Sequence, residues 1–156
     1  MRDALTRGDA HKQEMILRNL IQRGVVDRSD ASQKMQTLDV TLLNGHKPTK
    51  VEHWERYGFT YRPHAGAEVL AFALGGNQDH LVVTDVSDRR YRPTDLKEGE
   101  LMVHDHTGQS FKIGEDGITI VSAKKLIIKA NIEIEGDITQ QGSITSTGAH
   151  TAAAHV

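Results

Sequence analysis

The chain has 156 residues, a net charge of −2 and no cysteine. This length predicts one domain or two small ones, and the absence of cysteine excludes a disulfide framework and thiol chemistry. The near-neutral charge, with no basic block, argues against nucleic acid as a partner. The first residues are charged where a signal peptide is apolar, so we expect synthesis in the cytoplasm of the cell that makes the protein.

A short helix is the first predicted element. The roughly helical spacing of Ala4, Leu5, Met15 and Ile16 indicates a helix over residues 3–18, which we assign to an N-terminal segment of residues 1–19.

Five strands are predicted next, and they favour an OB-fold-like barrel over residues 20–93. Leu38, Val40 and Leu42 alternate with polar residues, and Asn44-Gly45 is a strong turn signal. All aromatic residues lie between Trp54 and Phe111, so we expect aromatic side chains to fill the barrel core. The predicted strands cover residues 20–30, 34–43, 50–54, 68–74 and 80–86, the last two joined by a hairpin turn at 75–79.

A six-residue repeat dominates the rest of the chain. After a charged link at 88–93, short strands are predicted at 100–104, 110–113 and 118–121, and a second register of glycines runs beside the repeat at 136, 142 and 148. Six residues suit a strand of about four residues and a corner, with one aliphatic side chain per side facing an axis. The predicted axial residues are Ile120, Leu126, Ile132, Ile138 and Ile144, with His150 in the next position.

One chain cannot cover this aliphatic row or pair its own strand edges. A single-chain left-handed β-helix would have only about two coils, which is too few. Three chains around one axis solve both problems, and the absence of aromatic residues after Phe111 and of charged residues after Asp137 fits a slender needle. A disordered neutral tail is the competing interpretation. The predicted fold class is all-β: the barrel, then an intertwined trimeric β-helix or β-prism needle over residues 94–156.

Two stretches carry a resemblance to a known family. YGFTYRPHAGAEVLAFALGGNQDHLVVTDVSDRRYRP and LKEGELMVHDHTGQSFKIGEDGITI resemble the baseplate assembly protein V family of Mu-like contractile-tailed phages. The resemblance implies a homotrimeric central spike of the virion tail, attached through its barrel to hub or baseplate proteins. Its needle would pierce the host outer membrane when the sheath contracts.

Histidines are the candidate metal ligands. Three copies of His150 would meet on the axis and could bind a transition metal or an anion, or form a polar layer with water. The resemblance implies an apical iron held by a His-x-His ending, and the residues from His150 to His155 lack that motif, so a separate tip protein is a further alternative. His104 and His106 have this spacing, but the turn that follows favours a solvated strand end.

No nucleophile stands in a recognisable catalytic setting, so we predict that the chain is not an enzyme. Two alternatives stay open. One is the spike of a type VI secretion or bacteriocin particle, which shares this architecture. The other, with less support, is a hexapeptide-repeat acyltransferase, which would need more coils and a histidine on a side loop.

Overall fold

The computed structural model describes residues 7–148, which form one helix and two β-sheets. Residues 122–148 lie outside the helix and the strands. The elements are α1 (Arg7–Arg18), β1 (Ile21–Asp30), β2 (Thr37–Leu42), β3 (Val51–His53), β4 (Glu68–Ala73), β5 (Leu81–Ser87), β6 (Leu101–His104), β7 (Ser110–Gly114) and β8 (Gly117–Val121).

The first five strands close into a barrel in the order β1-β2-β3-β5-β4, with β4 returning to β1. The β3–β5 pair is parallel and the other barrel pairs are antiparallel. This arrangement fits the predicted OB-like barrel, and the N-terminal helix is also confirmed over its described part. The trimeric needle stays a prediction, since the structure contains a single chain.

The barrel core is aliphatic, and the expectation of an aromatic core was wrong. Leu38, Val40 and Leu42 are the inward face of β2, as predicted, and each is at most 2% exposed. They pack with valines and with the small side chains of Ala71 and Ala73, because a five-stranded barrel leaves a narrow interior. The exposed aromatic side chains lie instead on loops, on the link and on the second sheet: Trp54, Tyr57, Phe59, Tyr61, Tyr91 and Phe111.

Strand bounds agree with the prediction to within about three residues. The largest difference is at β2, which begins at Thr37 and not at residue 34, because residues 32–35 form a bend. The predicted hairpin between β4 and β5 is present, with a 3₁₀ turn at Leu74–Gly76. Gly76 lies so close to α1 that a Cβ there would be 2.6 Å from Ile16 Cγ2.

The barrel has two distinct ends. At the helix end, the chain passes from α1 into β1, and Gln22 Nε2 donates to Asn19 O (3.1 Å) and to Gln78 Oε1 (2.8 Å). At the opposite end, which we call the sheet end, β1 finishes at Asp30 and β5 finishes at Ser87, from which the chain leaves for the second sheet. The helix and the second sheet therefore extend from opposite ends of the barrel.

Candidate functional site: an apolar sheet face and the hexads

Two tight turns set the register of the β6–β8 sheet. In the β6–β7 turn, the Asp105 carboxylate accepts hydrogen bonds from Thr107 N (2.8 Å), Thr107 Oγ1 (2.7 Å), Gln109 N (2.9 Å) and Gln109 Nε2 (2.8 Å). These donors stabilise the charged carboxylate and hold the pKa of Asp105 far below its ordinary value. The β7–β8 turn brings Gly114 opposite Gly117, whose φ of +115° suits glycine.

The resulting register gathers six apolar side chains on one face of the sheet. Antiparallel partners point to the same side, and so do residues two apart along a strand. Across the three strands the two rows are Leu101–Ile113–Ile118 and Val103–Phe111–Ile120. We call these six residues the apolar face; each of them is between 38% and 64% exposed.

The other side of the same sheet is polar. Met102, Lys112 and Thr119 form its central row. Lys112 Nζ lies 2.8 Å from Glu100 Oε2, and this ion pair lowers the pKa of Glu100 and raises that of Lys112. Since the ionic side is already suited to solvent, the apolar face is the side that gains from being covered.

The six-residue repeat is visible in the backbone after β8. Beyond Lys125 the chain bends at Ala130, Gly136 and Gly142, six residues apart, and again at Thr147-Gly148. At two of these bends φ is positive, +130° at Gly136 and +115° at Gly142, in a region that side chains other than glycine rarely adopt. The predicted corners thus recur through residue 148, while the short strands predicted between them are not formed in the single chain.

The predicted axial residues lie in two settings. Ile120 belongs to β8 and to the apolar face, whereas Leu126, Ile132, Ile138 and Ile144 lie in the hexads and are 59% to 70% exposed. One chain therefore does not pack these four residues into a core. His150, the candidate metal ligand, lies outside the described residues.

Sequence reasoning missed most of the apolar face. Leu101, Val103, Phe111, Ile113 and Ile118 alternate with polar neighbours in three short strands, and this alternation was the available signal. It also missed a second aliphatic row at Ile128 and Ile134, two residues behind the first and repeating every six.

The His-x-His pair at the β6–β7 turn splits between two settings. His104 ends β6 and is exposed, in agreement with the expected solvated strand end. His106 turns back toward the barrel, where its ring packs against His64 with centroids 4.6 Å apart. Within residues 7–148, no three His, Asp or Glu side chains are grouped to hold a metal ion.

A buried histidine lies at the sheet end of the barrel. His53 is 1% exposed, and its Nε2 lies 3.2 Å from the Tyr61 hydroxyl. Nearby, Gln36 Nε2 donates to Tyr61 O at 2.8 Å. Burial disfavours the charged imidazolium and lowers the pKa of His53.

Further exposed apolar side chains lie near the helix end. Ile16 covers Gly76, while Leu17, Ile21 and Leu43 are more than half exposed. Of the described helices, none combines the length and the apolar character that crossing a bilayer requires.

A small closed barrel leads into an amphipathic three-stranded sheet and a chain that bends every six residues. A family model described as "Bacteriophage Mu Gp45, N-terminal" matches residues 23–90, which include most of the barrel. This match and the two relatives below support a Mu-like family of baseplate proteins for the chain.

Two relatives support the assignment. The chain is 33% identical over 115 residues to the baseplate puncturing device gp45 of Escherichia phage Mu, a match that covers 74% of this chain and 58% of the relative. It is 30% identical over 115 residues to the Mu-like prophage FluMu protein gp45 of Haemophilus influenzae, covering 74% of this chain and 63% of the relative. The matched part thus spans less than two thirds of either relative.

Proposed function

We propose that this chain is the central spike of a contractile phage tail, acting by mechanical penetration and without enzymatic activity. The observation that carries the proposal is the apolar face, because six half-exposed aliphatic and aromatic side chains stand opposite an ionic face on the same thin sheet. Contiguous apolar patches of this kind mark interaction surfaces. The relative named a baseplate puncturing device supports the same role.

In this proposal, the apolar face of one chain packs against the same face of two further copies. A homotrimer gives each strand edge a partner and each apolar side chain a neighbour. Ile120, Leu126, Ile132, Ile138 and Ile144 then form successive layers on the threefold axis. Each side chain taken from water to this core would stabilise the trimer by about 1.5–3 kcal/mol before the cost of ordering the chain.

We assign different roles to the two ends of the barrel, contact with the tail hub at one end and the needle at the other. Residues 1–19 and the barrel of residues 20–93 would face the tail hub, because α1 lies at the end opposite the sheet. Residues 94–156 would form the needle, with His150 on the axis as a site for a metal or an anion, or with a separate tip protein beyond it. The spike would reside in the virion baseplate after synthesis in the host cytoplasm. It would contact the outer membrane only during piercing.

Light scattering on the purified chain tests the assembly. We expect three times the chain mass of 17.3 kDa for the unaltered protein. Phe111→Asp, on the apolar face, should yield monomers, whereas Thr119→Asp on the polar side of the same sheet should leave the trimer intact.

A monodisperse species of 17.3 kDa for the unaltered chain would contradict the trimer. Equal masses for the two aspartate variants would contradict the assignment of the faces. Electron microscopy of particles labelled on the barrel with a bound antibody fragment would then test the position of the spike. Label on the tail sheath or on the capsid would count against a central spike.

A further inference from the structure

A loop at the sheet end of the barrel exposes three aromatic side chains. Trp54, Tyr57 and Phe59 are 53%, 104% and 63% exposed. They belong to residues 54–62, which follow β3 and which we call the aromatic loop. Because β3 runs parallel to β5, and β5 finishes at the sheet end, the aromatic loop also begins at that end. It therefore leaves the barrel at the end from which the second sheet extends.

Hydrogen bonds fix the shape of the aromatic loop. The Glu55 carboxylate accepts from Tyr61 N (2.8 Å), and Gln36 Nε2 donates to Tyr61 O (2.8 Å). Between these contacts the chain makes a tight turn, in which Gly58 has φ of +85° and Phe59 N donates to the carbonyl three residues before it (2.9 Å). A loop that is already ordered loses little conformational entropy when it binds. The exposed rings are thus held in place before any partner is bound.

The charged groups in and around the aromatic loop have partners within the chain. The Arg56 guanidinium lies 3.8 Å from Asp85 Oδ1, and Glu52 Oε2 accepts from the indole N–H of the loop (3.0 Å). Arg62 donates to a backbone carbonyl of β1 (2.9 Å). Together with Glu55, three carboxylates stand beside two guanidinium groups, so charge does not favour an anionic partner. The aromatic rings are what the loop offers to a partner.

We propose that the aromatic loop is a membrane-interface site that inserts Trp54, Tyr57 and Phe59 among the headgroups of a phospholipid bilayer. Trp and Tyr join an apolar ring to a polar atom, and both are enriched where membranes meet water. The apolar residues of the loop are all aromatic, whereas five of the six residues of the apolar face are aliphatic. This difference in composition favours a lipid interface for the loop over a contact between copies.

The direction of the loop agrees with this partner. The inference rests on the proposed spike function, in which the needle extends from the sheet end and enters a membrane first. Once the needle has passed through, the sheet end is the part of the barrel that reaches the bilayer surface. The aromatic loop would then hold the barrel at that surface, with the needle across the membrane and the helix end facing away.

Tryptophan fluorescence of the full-length chain, mixed with phosphatidylcholine vesicles, tests the site. Trp54 is the single tryptophan of the chain, so its emission reports on the aromatic loop alone. We expect the emission to move to shorter wavelength and to be quenched by phosphatidylcholine with brominated acyl chains. The double variant Tyr57→Ser and Phe59→Ser keeps this reporter. It should lower the partition coefficient at least about tenfold, because burying one such side chain contributes at least that factor.

Leu43→Ser is the matched control, since Leu43 is 81% exposed at the helix end. It should bind vesicles as the unaltered chain does, and circular dichroism should show a folded barrel in every variant. An unchanged emission spectrum would overturn the proposal, and so would equal binding by the double variant. Binding that requires added phosphatidylglycerol would also overturn it, because charge and not the rings would then drive insertion.

Two further measurements separate this inference from the trimer. Emission that is protected from iodide before vesicles are added would show that another copy covers Trp54, which would overturn the lipid site. Light scattering on the same sample gives the number of copies. A trimer that does not bind vesicles would contradict the lipid site alone, whereas a monomer that binds them would support the lipid site and contradict the trimer.

Discussion

Val26, Leu38 and Val83 in the barrel are at most 1% exposed, whereas Ile113, Ile118 and Ile120 in the following sheet are 44% to 64% exposed. The residue types are alike, and both regions are antiparallel β-structure for the most part. The two regions differ because the barrel sheet closes on itself and the second sheet does not. Five strands return to their own first edge and enclose an interior, while three strands leave one face and two edges without partners from the described chain.

This contrast teaches where stability must come from in each region. The barrel is stabilised by contacts within one chain, so its stability should not depend on protein concentration. In the proposed trimer, other copies cover the exposed apolar side chains of the sheet and the hexads, so the stability of these regions should depend on protein concentration. Four predictions test this distinction between contacts within one chain and contacts between copies, in order of decreasing effect.

The largest effect is expected from the double substitution Ile138→Asp and Ile144→Asp. In the proposed trimer, two charged layers on the axis would cost far more than the neighbouring aliphatic layers contribute. We expect complete loss of the trimer, with light scattering giving 17.3 kDa, while circular dichroism still reports a folded barrel.

Thr145→Asp is the control for that pair, because it adds the same charge next to Ile144 without replacing an aliphatic residue. It should remain trimeric. A double variant that still sediments as the unaltered protein would show that these isoleucines do not lie on a buried axis.

The sequence predicted the barrel better than the sheet, for a physical reason. Leu38, Val40 and Leu42 alternate over a whole strand that one face buries, so periodicity alone identifies them. The expectation of an aromatic core was wrong because residues that are close together in the sequence need not be buried. Trp54, Tyr57 and Phe59 lie together on a loop and are exposed.

Predicting the apolar face requires the register between strands, which no single strand reveals. Each of its strands contributes only two apolar side chains, and the face exists only once the turns fix the register Val103–Phe111–Ile120. Asp105, which organises the first of those turns through four hydrogen bonds, was the residue from which that register could have been inferred.

A core truncation in the barrel should have the next largest effect. Leu38 is fully buried, and Leu38→Ala removes buried methyl groups and leaves a cavity, which should lower the free energy of unfolding by about 2–5 kcal/mol. Urea denaturation followed by circular dichroism measures the change, which should be the same at low and high protein concentration.

Leu43→Ala is the matched substitution, since Leu43 is 81% exposed just after the same strand. Its effect should stay within about 0.5 kcal/mol. A Leu38→Ala effect that grows on dilution would mean that the barrel also depends on other copies.

Glycine at one corner of the hexads provides a smaller and more local test. Gly136→Ala forces a side chain into a backbone with φ of +130°, which should cost about 1–3 kcal/mol in each chain. The needle should dissociate at a lower temperature while the barrel melts as before, and calorimetry separates the two transitions. Gly148→Ala, at a bend without positive φ and with open space around a new Cβ, should change little. Equal effects at the two corners would indicate that the backbone bends do not matter to assembly.

The smallest effect concerns the pH dependence of the barrel, and it arises from His53. Burial lowers the pKa of His53 below its ordinary value of 6.5, so the folded barrel binds this proton less readily than the unfolded chain. Stability is therefore fully present above pH 6.5 and is lost as the pH falls below it, at up to about 1.4 kcal/mol per pH unit.

Urea denaturation at pH 7.5 and pH 5 measures this loss, and His53→Phe should remove it. Phenylalanine keeps a ring beside Tyr61 but gives up the contact from Nε2, so the variant should be less stable at pH 7.5 by about 1 kcal/mol. His46→Phe, on an exposed loop, should keep the full pH dependence of the unaltered chain. If His53→Phe loses as much stability in acid as the unaltered protein, the sensitive groups lie outside the barrel core. The barrel encloses its own core, whereas the sheet leaves its apolar face exposed. The two regions would then also differ in how their stability depends on pH.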